Sequence, residues 1–265
     1  MKCKFIFLTP LLFYTVTLSA QIEKIDTDRP DQTESPFIVP KKWMQLESGF
    51  LKEVENGHDN GFYQLKLIRF QHPSLLTKYG VAKRFELRLI TDFVTEKSKQ
   101  NNSIIVSGTG IDNAQFGGKL NFFDEKGWRP KTSLIAHYDL AGLRTIHKDT
   151  IDGFNFRFTF QKTISEKLSF GLNLGMEWER FGEPPAYTYT FAPGFNLSEK
   201  WYAYIEAFGF IWKDEKPENS IDAGIAYFVN DNFKVDVSAG LGVSKYAPGY
   251  YFAVGSSFRF KTNRK

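Results

Sequence analysis

The sequence predicts an all-β protein: a single antiparallel, up-and-down transmembrane β-barrel of ~12 strands with an irregular N-terminal leader. Three observations predict this fold: segments in which polar and apolar residues alternate, links that are short and long in turn, and an N-terminal export signal. Many of the alternating segments have about ten residues, enough to cross a bilayer at the usual strand tilt, whereas soluble strands are commonly nearer five or six.

The clearest alternation lies in residues 153–178, which we interpret as one long β-hairpin. Its first arm has phenylalanine at every second position from residue 154 to residue 160, with polar residues between them. After a polar turn at residues 164–167, the second arm repeats the pattern up to Trp178. Period two puts successive side chains on opposite faces of a strand. The aromatic face fits a soluble core or lipid, and the export signal and link lengths favour lipid.

Residues 1–20 resemble a secretory signal peptide, with Lys2 and Lys4 before an apolar run and small residues at the expected cleavage site. Without these two lysines the chain has 34 − 2 = 32 basic and 30 acidic residues, a net charge of +2. This balance predicts neither nucleic-acid binding nor acidic partners. Cys3 is the only cysteine, so the mature chain is predicted to have no disulfide and no thiolate metal site.

The mature chain divides into a leader at residues 21–42, a barrel at residues 43–260 and a tail at residues 261–265. Short links are expected near residues 80–83, 164–167, 198–200 and 230–232, and longer ones beginning at residues 95, 141, 179, 213 and 246. In outer-membrane barrels the short turns lie on the periplasmic side. We expect a long polar loop over residues 95–110 and a bulge or break at Pro73.

Aromatic residues gather near the predicted strand ends, where amphipathic rings favour the headgroup level of a membrane. Two aromatic girdles are therefore expected. Their predicted members are Trp43, Trp128, Trp178, Tyr187, Trp201, Trp212 and Tyr251.

If the aromatic face meets lipid, the polar face lines the lumen and mixes charges of both signs. One interpretation is a network of ion pairs that fills a narrow interior, because buried charges are tolerated only when paired. The other is a polar pathway that selects a solute. Arg157 and Glu177, on adjacent arms of the hairpin, are candidates for an ion pair. The lumen-lining candidates are Glu47, Lys66, Glu86, Arg88, Asp92, Lys119, Arg157 and Glu177.

The leader carries a compact charged box around Pro30 that matches no metal or phosphate loop. We hypothesise that it forms a periplasmic cap or plug and pairs with wall charges such as Lys66 or Arg88. The box consists of Asp26, Asp28, Arg29, Asp31 and Glu34.

Residues 27–35 (TDRPDQTES), 45–50 (QLESGF) and 84–89 (RFELRL) resemble a family of outer-membrane transporters labelled for the meta pathway of phenol degradation. Tyr79-Gly80 and Gly118-Lys119 match further blocks of the same family. Where the family pattern has a turn glycine before the first strand, this chain has Lys41-Lys42. The resemblance implies an outer-membrane barrel with a transport role, and it assigns no substrate-binding residue.

The leading hypothesis is passive passage of a small solute, with hydrophobic and aromatic compounds as candidates, across the outer membrane of a Gram-negative type envelope. A non-conducting barrel with a structural, adhesive or hydrolase role and a soluble exported ligand-binding barrel stay open as alternatives. The expected partners are outer-membrane lipid, the barrel-assembly machinery and the solute. The histidines stand in no nucleophile or metal motif, so we predict no catalytic residue, metal or cofactor.

Overall fold

The computed structural model of the chain describes residues 24–56, 65–100, 103–146 and 151–262. The predicted signal peptide at residues 1–20, the first three leader residues and the end of the tail lie outside these ranges.

Within the described residues, twelve strands close into one barrel in which each strand pairs with its sequence neighbours. The strands are β1 Trp43–Asn56, β2 Leu65–Ala82, β3 Phe85–Gln100, β4 Ser103–Phe123, β5 Lys131–Asp139, β6 Gly153–Ser165, β7 Leu168–Trp178, β8 Ala186–Asn196, β9 Trp201–Ile211, β10 Glu218–Asn230, β11 Phe233–Gly242 and β12 Tyr250–Lys261.

The barrel closes between its first and last strands. β1 and β12 pair antiparallel from Trp43 opposite Lys261 to Val54 opposite Tyr250. All other neighbouring strands are antiparallel as well, so backbone donors and acceptors are satisfied around the ring and no edge is left open. The predicted all-β up-and-down barrel is confirmed. A short 3₁₀ helix, Ala141–Leu143, lies in the link between β5 and β6, and no helix in the described ranges has the length and apolarity to span a membrane.

The β6–β7 hairpin turns its aromatic face outward, as predicted. Phe158 is 38% exposed, whereas the next residue, Thr159, is completely buried inside the wall. The phenylalanines lie opposite apolar residues of β7 across the hairpin, with Phe156 opposite Met176 and Phe158 opposite Leu174. The exposed apolar side chains therefore form the outer surface, and polar side chains fill the interior.

The links differ between the two ends of the barrel. The end where the leader enters has the tight turns at residues 83–84, 166–167 and 231–232. The opposite end has most of the longer links, at residues 140–152, 179–185 and 243–249. There are two exceptions: only two residues separate β3 from β4 at this opposite end, and residues 124–130 form a longer link at the leader end. In outer-membrane barrels the short turns lie on the periplasmic side, so this arrangement predicts a periplasmic position for the leader end.

The predicted long loop at residues 95–110 is wrong. Both sides of this segment are strand: β3 continues to Gln100, and β4 begins at Ser103. Thr95 pairs with Thr109 and Glu96 with Gly108, so the polar residues prolong a hairpin beyond the apolar band. Polar composition does not prevent strand pairing here, because the backbone hydrogen bonds of β3 and β4 continue through the segment.

Pro73 lies within β2, and the ladder to β1 shifts register between Gly49 and Leu51, on the facing strand. The pairing of β2 with β3 also shifts, between Gln71 and Ser74. Proline has no N–H for the ladder, so a bulge accommodates it. The bulge alternative is confirmed, and the strand does not break.

Two predicted girdle residues face inward. Trp43 shares the inner face of β1 with Gln45, and the guanidinium of Arg259 lies 5.6 Å from its ring centroid. Tyr251 is buried and donates a hydrogen bond to Asp222 inside the barrel. Both residues lie near strand ends, as predicted, but the alternation of their strands places their side chains on the inner face.

Candidate functional site: the lumen and its leader

The leader crosses the inside of the barrel from one wall to the other. It enters beside the turn between β10 and β11, where the Ile25 amide donates to the carbonyl of Asp231 at 2.8 Å. The Gln32 amide then reaches Glu206 on β9 at 2.7 Å. At the far wall the Val39 amide donates to Glu86 on β3 at 2.7 Å. Wall carboxylates thus serve as acceptors for leader amides.

Asp28 is the centre of the contact between leader and wall. Its Oδ2 accepts from Lys78 at 2.8 Å and from Arg88 at 2.7 Å. Its Oδ1 accepts from Lys119 at 3.0 Å. The three cations come from three adjacent strands, β2, β3 and β4. A leader carboxylate therefore ties together a basic patch that the barrel wall supplies.

The charges around Asp28 nearly balance. Three cations, Lys78, Arg88 and Lys119, contact four carboxylates, of which the leader supplies two and the wall two. Burial opposes ionisation of Asp28, but Lys119, Lys78 and Arg88 hold its pKa well below the usual range. The leader is anchored as an anion. The four carboxylates are Asp28, Glu34, Glu47 and Glu86.

Glu47 fixes the backbone of the same leader segment. Its carboxylate accepts the amides of Asp28 at 3.0 Å and of Arg29 at 3.1 Å. Gln45, two residues earlier on β1, donates to Glu47 at 2.9 Å and to the Asp26 carbonyl at 2.7 Å. Period two puts both side chains on the inner face, so one stretch of β1 binds leader backbone as well as leader charge.

Arg29 lies flat against two glycines of the wall. Gly49 on β1 and Gly255 on β12 are directly paired, and a Cβ on either would overlap the guanidinium. The guanidinium also pairs with Asp236 on β11 at 3.0 Å, and Lys234 donates to the Arg29 carbonyl at 2.6 Å. The glycine pair therefore creates the space that this leader arginine occupies.

A second anchor holds the later part of the box. Thr33 shares a hydrogen bond with Thr190 on β8 at 2.6 Å and also donates to Glu206. Asn173 on β7 accepts from the Glu34 amide at 2.7 Å and donates to its carbonyl at 3.0 Å. The leader is thus held on both sides of the barrel.

Two of the cavities inside the described barrel adjoin the leader on opposite sides. One, about 270 Å³, lies at the leader end of the barrel and extends to Glu166 in the β6–β7 turn. The other, about 280 Å³, lies on the far side and is lined by His137 and Arg157 among others. The residues that line both cavities belong to the leader; they are Arg29, Asp31 and Glu34.

The predicted lumen residues fall into three groups. Glu47, Glu86, Arg88 and Lys119 lie in the leader contact described above. Two others line the far cavity as a pair, since Arg157 lies 3.8 Å from Glu177. Asp92 is buried on the inner face of β3 and accepts from Asn113 at 3.0 Å.

Lys66 lies apart from these residues. It pairs in register with Lys99 near the end of β2 and, by alternation, shares the outer face of Phe70, which lines an external groove. The leader box contacts Arg88 as hypothesised, whereas Lys66 is directed away from it. The irregularity around Pro73 shifts the phase of β2, and this shift was not readable from the pattern.

Sequence reasoning missed Lys78, Thr33 and Asn173. Lys78 follows the Pro73 bulge, which hides its alternation with Ser74 and Leu76. Thr33 and Asn173 are uncharged, and their roles depend on how the leader packs. In the part of the chain that the structure describes, no cluster of histidine, cysteine and carboxylate side chains is arranged to hold a metal ion.

Comparison with known proteins gives one matching family and several solved structures of similar fold. The sequence profile of the family described as "Putative MetA-pathway of phenol degradation" matches residues 27–260. A search of curated proteins found no match. The COG4313 outer membrane channel from Pseudomonas putida F1 superposes with a TM-score of 0.67 at 11% identity, over 89% of this chain and 100% of that one.

Two further solved structures share the fold. The translocator domain of the autotransporter NalP from Neisseria meningitidis gives a TM-score of 0.51 at 9% identity, over 84% of this chain and 90% of that one. The KdgM porin in complex with disordered oligogalacturonate gives 0.50 at 10% identity, over 82% and 99%. Identities this low establish a common architecture only.

Proposed function

The chain belongs to this phenol-degradation family, and from that membership and its closed, apolar-surfaced barrel we propose that it is a passive outer-membrane channel for a small solute. The observation that carries the proposal is a polar interior with a cavity on each side of the leader. The similarity in fold to a solved outer-membrane channel supports it. Export by residues 1–20 and insertion by the barrel-assembly machinery are part of the same proposal.

The leader acts as the plug of this channel. It separates the two cavities, and the ion pairs of Asp28 with Lys78, Arg88 and Lys119 hold it in place. Because it is bound by many separate polar contacts, it moves only when several of them exchange for water or solute. Passage of a solute then follows displacement of the leader, wholly or in part.

The cavities limit the size of the solute. Each is below the 300–1,000 Å³ typical of pockets for drug-sized molecules, so a single-ring compound is the appropriate class. The family description favours phenolic compounds as the first to test.

A non-enzymatic role agrees with the engagement of the buried histidine. His137 accepts from Arg88 Nε at 3.0 Å through Nε2, and its Nδ1 lies 3.1 Å from the amide oxygen of Asn155. Because the Nε2 lone pair accepts from a guanidinium and Nδ1 faces an amide oxygen, neither nitrogen offers a lone pair to a substrate in this arrangement.

The experiment tethers the leader to the barrel wall through a disulfide bond that can be formed by oxidation and broken by reduction. Thr33→Cys with Thr190→Cys places two thiols where the hydroxyls lie 2.6 Å apart, in a mature chain expected to have no other cysteine. We expect discrete conductance steps in planar bilayers and phenol flux into liposomes under reducing conditions, and a loss of both after oxidation. Each single-cysteine variant, treated alike, is the control.

The outcomes separate the two parts of the proposal. Conductance and flux that persist in the oxidised double variant would show a channel that is open beside the leader, and the plug would be wrong. Absence of conductance and flux in every variant, with the barrel folded, would overturn the channel. It would favour the non-conducting barrel, which the leader-filled interior makes the second candidate.

A further inference from the structure

Four lysines lie together on the outer face of β1–β3, near the end opposite the leader. Lys52 is opposite Phe70, Ile68 is opposite Lys97, and Lys66 is opposite Lys99. Positions in register share a face, so these side chains form one surface, which we call the outer lysine patch. The patch consists of Lys52, Lys66, Lys97 and Lys99.

On β1–β3, the carboxylates that the structure describes lie on the inner face, away from the patch. The carboxylates of the same strands alternate to the interior, where Arg69 pairs with Glu96 at 3.2 Å and also with Asp112. Over the described ranges, no carboxylate forms an ion pair with a patch lysine. Acidic groups inside and basic groups outside are therefore separated by a single layer of sheet.

Two of the ammonium groups converge on one aromatic ring. Nζ of Lys52 lies 5.8 Å from the ring centroid of Phe70, and Nζ of Lys97 lies 5.9 Å from it. The ring attracts both cations through its quadrupole and holds them near each other. An anion with several oxygens, such as a phosphate, can accept charge-assisted hydrogen bonds from cations arranged in this way.

An open apolar groove of about 480 Å³ adjoins the two lysines. Its walls include Phe50 and Phe252, whose side chains are 54% and 55% exposed. Phe50 precedes Lys52 by two residues on β1, so the groove extends from the lysines toward the middle of the barrel wall. A molecule that fills both features has an anionic head and an apolar tail.

The rest of this rim has a different chemistry. Outward strand positions at the same end include the aromatic residues Trp178, Tyr187 and Tyr250 and the aliphatic residues Ile211 and Leu241. Lys216 and Lys245 of this end lie in loops, against Tyr246, and not on the strands. Lysines on the lipid face are tolerated near the interface and unfavourable deeper in the membrane. A cluster confined to three strands therefore indicates a local anionic ligand rather than a general girdle.

We propose that the outer lysine patch and its groove bind a phosphorylated lipid of the outer leaflet. The phosphate lies between Lys52 and Lys97, with Lys66 and Lys99 adding positive charge farther out, and one acyl chain lies along Phe50 and Phe252. The site is on the lipid face of the barrel, so it is independent of the lumen and of whether the channel conducts.

The test measures binding of a fluorescent bisphosphorylated lipid A to the detergent-purified mature protein. Removing two charges in Lys52→Gln/Lys97→Gln should weaken binding about 10- to 30-fold. The same lipid without its phosphates should bind as weakly, and Phe50→Ser should also reduce affinity. The matched control, Lys83→Gln/Lys126→Gln, removes two exposed lysines from turns at the opposite end and should leave binding unchanged.

Several results would overturn the proposal. One is equal loss of affinity in both double variants, which would indicate a non-specific charge effect. Another is unimpaired binding of the lipid without phosphates. Displacement of the lipid by millimolar inorganic phosphate, with Phe50→Ser unaffected, would mean a free-anion site instead. A heat-dependent gel-mobility shift verifies that each variant is folded.

Discussion

Asp28 Oδ2 in the leader lies 2.7 Å from Nη1 of Arg88 on β3, and both side chains are buried. The pair joins a segment with no regular secondary structure to the wall of the barrel. A buried cation of this kind would be unfavourable without a counter-ion, so the leader and the wall depend on each other electrostatically.

The first prediction concerns this carboxylate. Asp28→Asn leaves Lys78, Arg88 and Lys119 with one negative charge fewer, and we expect a loss of about 3 kcal/mol in the free energy of unfolding. Urea titration followed by the gel-mobility shift measures it. The control is Asp124→Asn, because the pair of Asp124 with Arg84 is exposed and should contribute less than about 1 kcal/mol. Similar losses in both variants would contradict a special role for Asp28.

The second prediction concerns the glycine pair under Arg29. Gly255→Val should displace the guanidinium from Asp236 and cost about 1–3 kcal/mol, the usual range for overpacking. Combined with Arg29→Ala, the same substitution should cost clearly less, because the overlapping group is gone. Thermal unfolding of the four proteins in this cycle gives the coupling energy. Additive effects would show that Gly255 matters for another reason, and Gly142→Val, in open space, serves as the control.

The third prediction concerns pH. Burial, with the nearby charges of Asp222 and Asp28, raises the pKa of Asp31 to about 8, although Lys234 opposes the shift. An acid whose pKa is higher in the docked leader favours docking when it is protonated. The stabilisation of the docked leader by protonated Asp31 is therefore complete below about pH 4. It is lost progressively as the pH rises from about 4 to about 8.

Labelling of Ser35→Cys by a maleimide reports this change, because the Ser35 side chain is buried when the leader is docked. Between pH 6 and 9 the labelling rate should rise more steeply than in the same variant carrying Asp31→Asn. The ratio of the two rates cancels the pH dependence of the thiol itself. Asp28, with its pKa far below this window, contributes no change there. A constant ratio would contradict the prediction.

The fourth prediction concerns the entry to β1. Lys42 has a φ of 65°, in the left-handed region that favours glycine, and it stands where the family resemblance predicts a turn glycine. Lys42→Gly should stabilise the barrel by about 1 kcal/mol by removing this strain. Lys41→Gly, one residue earlier, should instead be neutral or destabilising through unfolded-state entropy. Unfolding midpoints of the two variants measure the difference, and the reverse order would contradict it.

Much of the barrel could be predicted from the local sequence pattern. The predictions that failed did so at two short segments where that pattern is irregular. Alternation located the β6–β7 hairpin and its outward phenylalanines, because that face must avoid water. It failed for Lys66, since the bulge at Pro73 changes the phase of β2. It also failed for residues 95–110, where a mainly polar sequence without clear alternation conceals the paired ends of β3 and β4.

The sequence by itself determined the barrel, its strand number and, on strands of regular alternation such as β6 and β7, the outward side, because period-two alternation is a property of neighbouring residues. It also identified the leader box as a charged unit that needs partners. Only the tertiary structure decided which partners those are: Asp28 is 50 residues from Lys78 and 91 from Lys119. Contacts between a leader and a barrel wall depend on closure of the whole ring, and no local spacing encodes that closure.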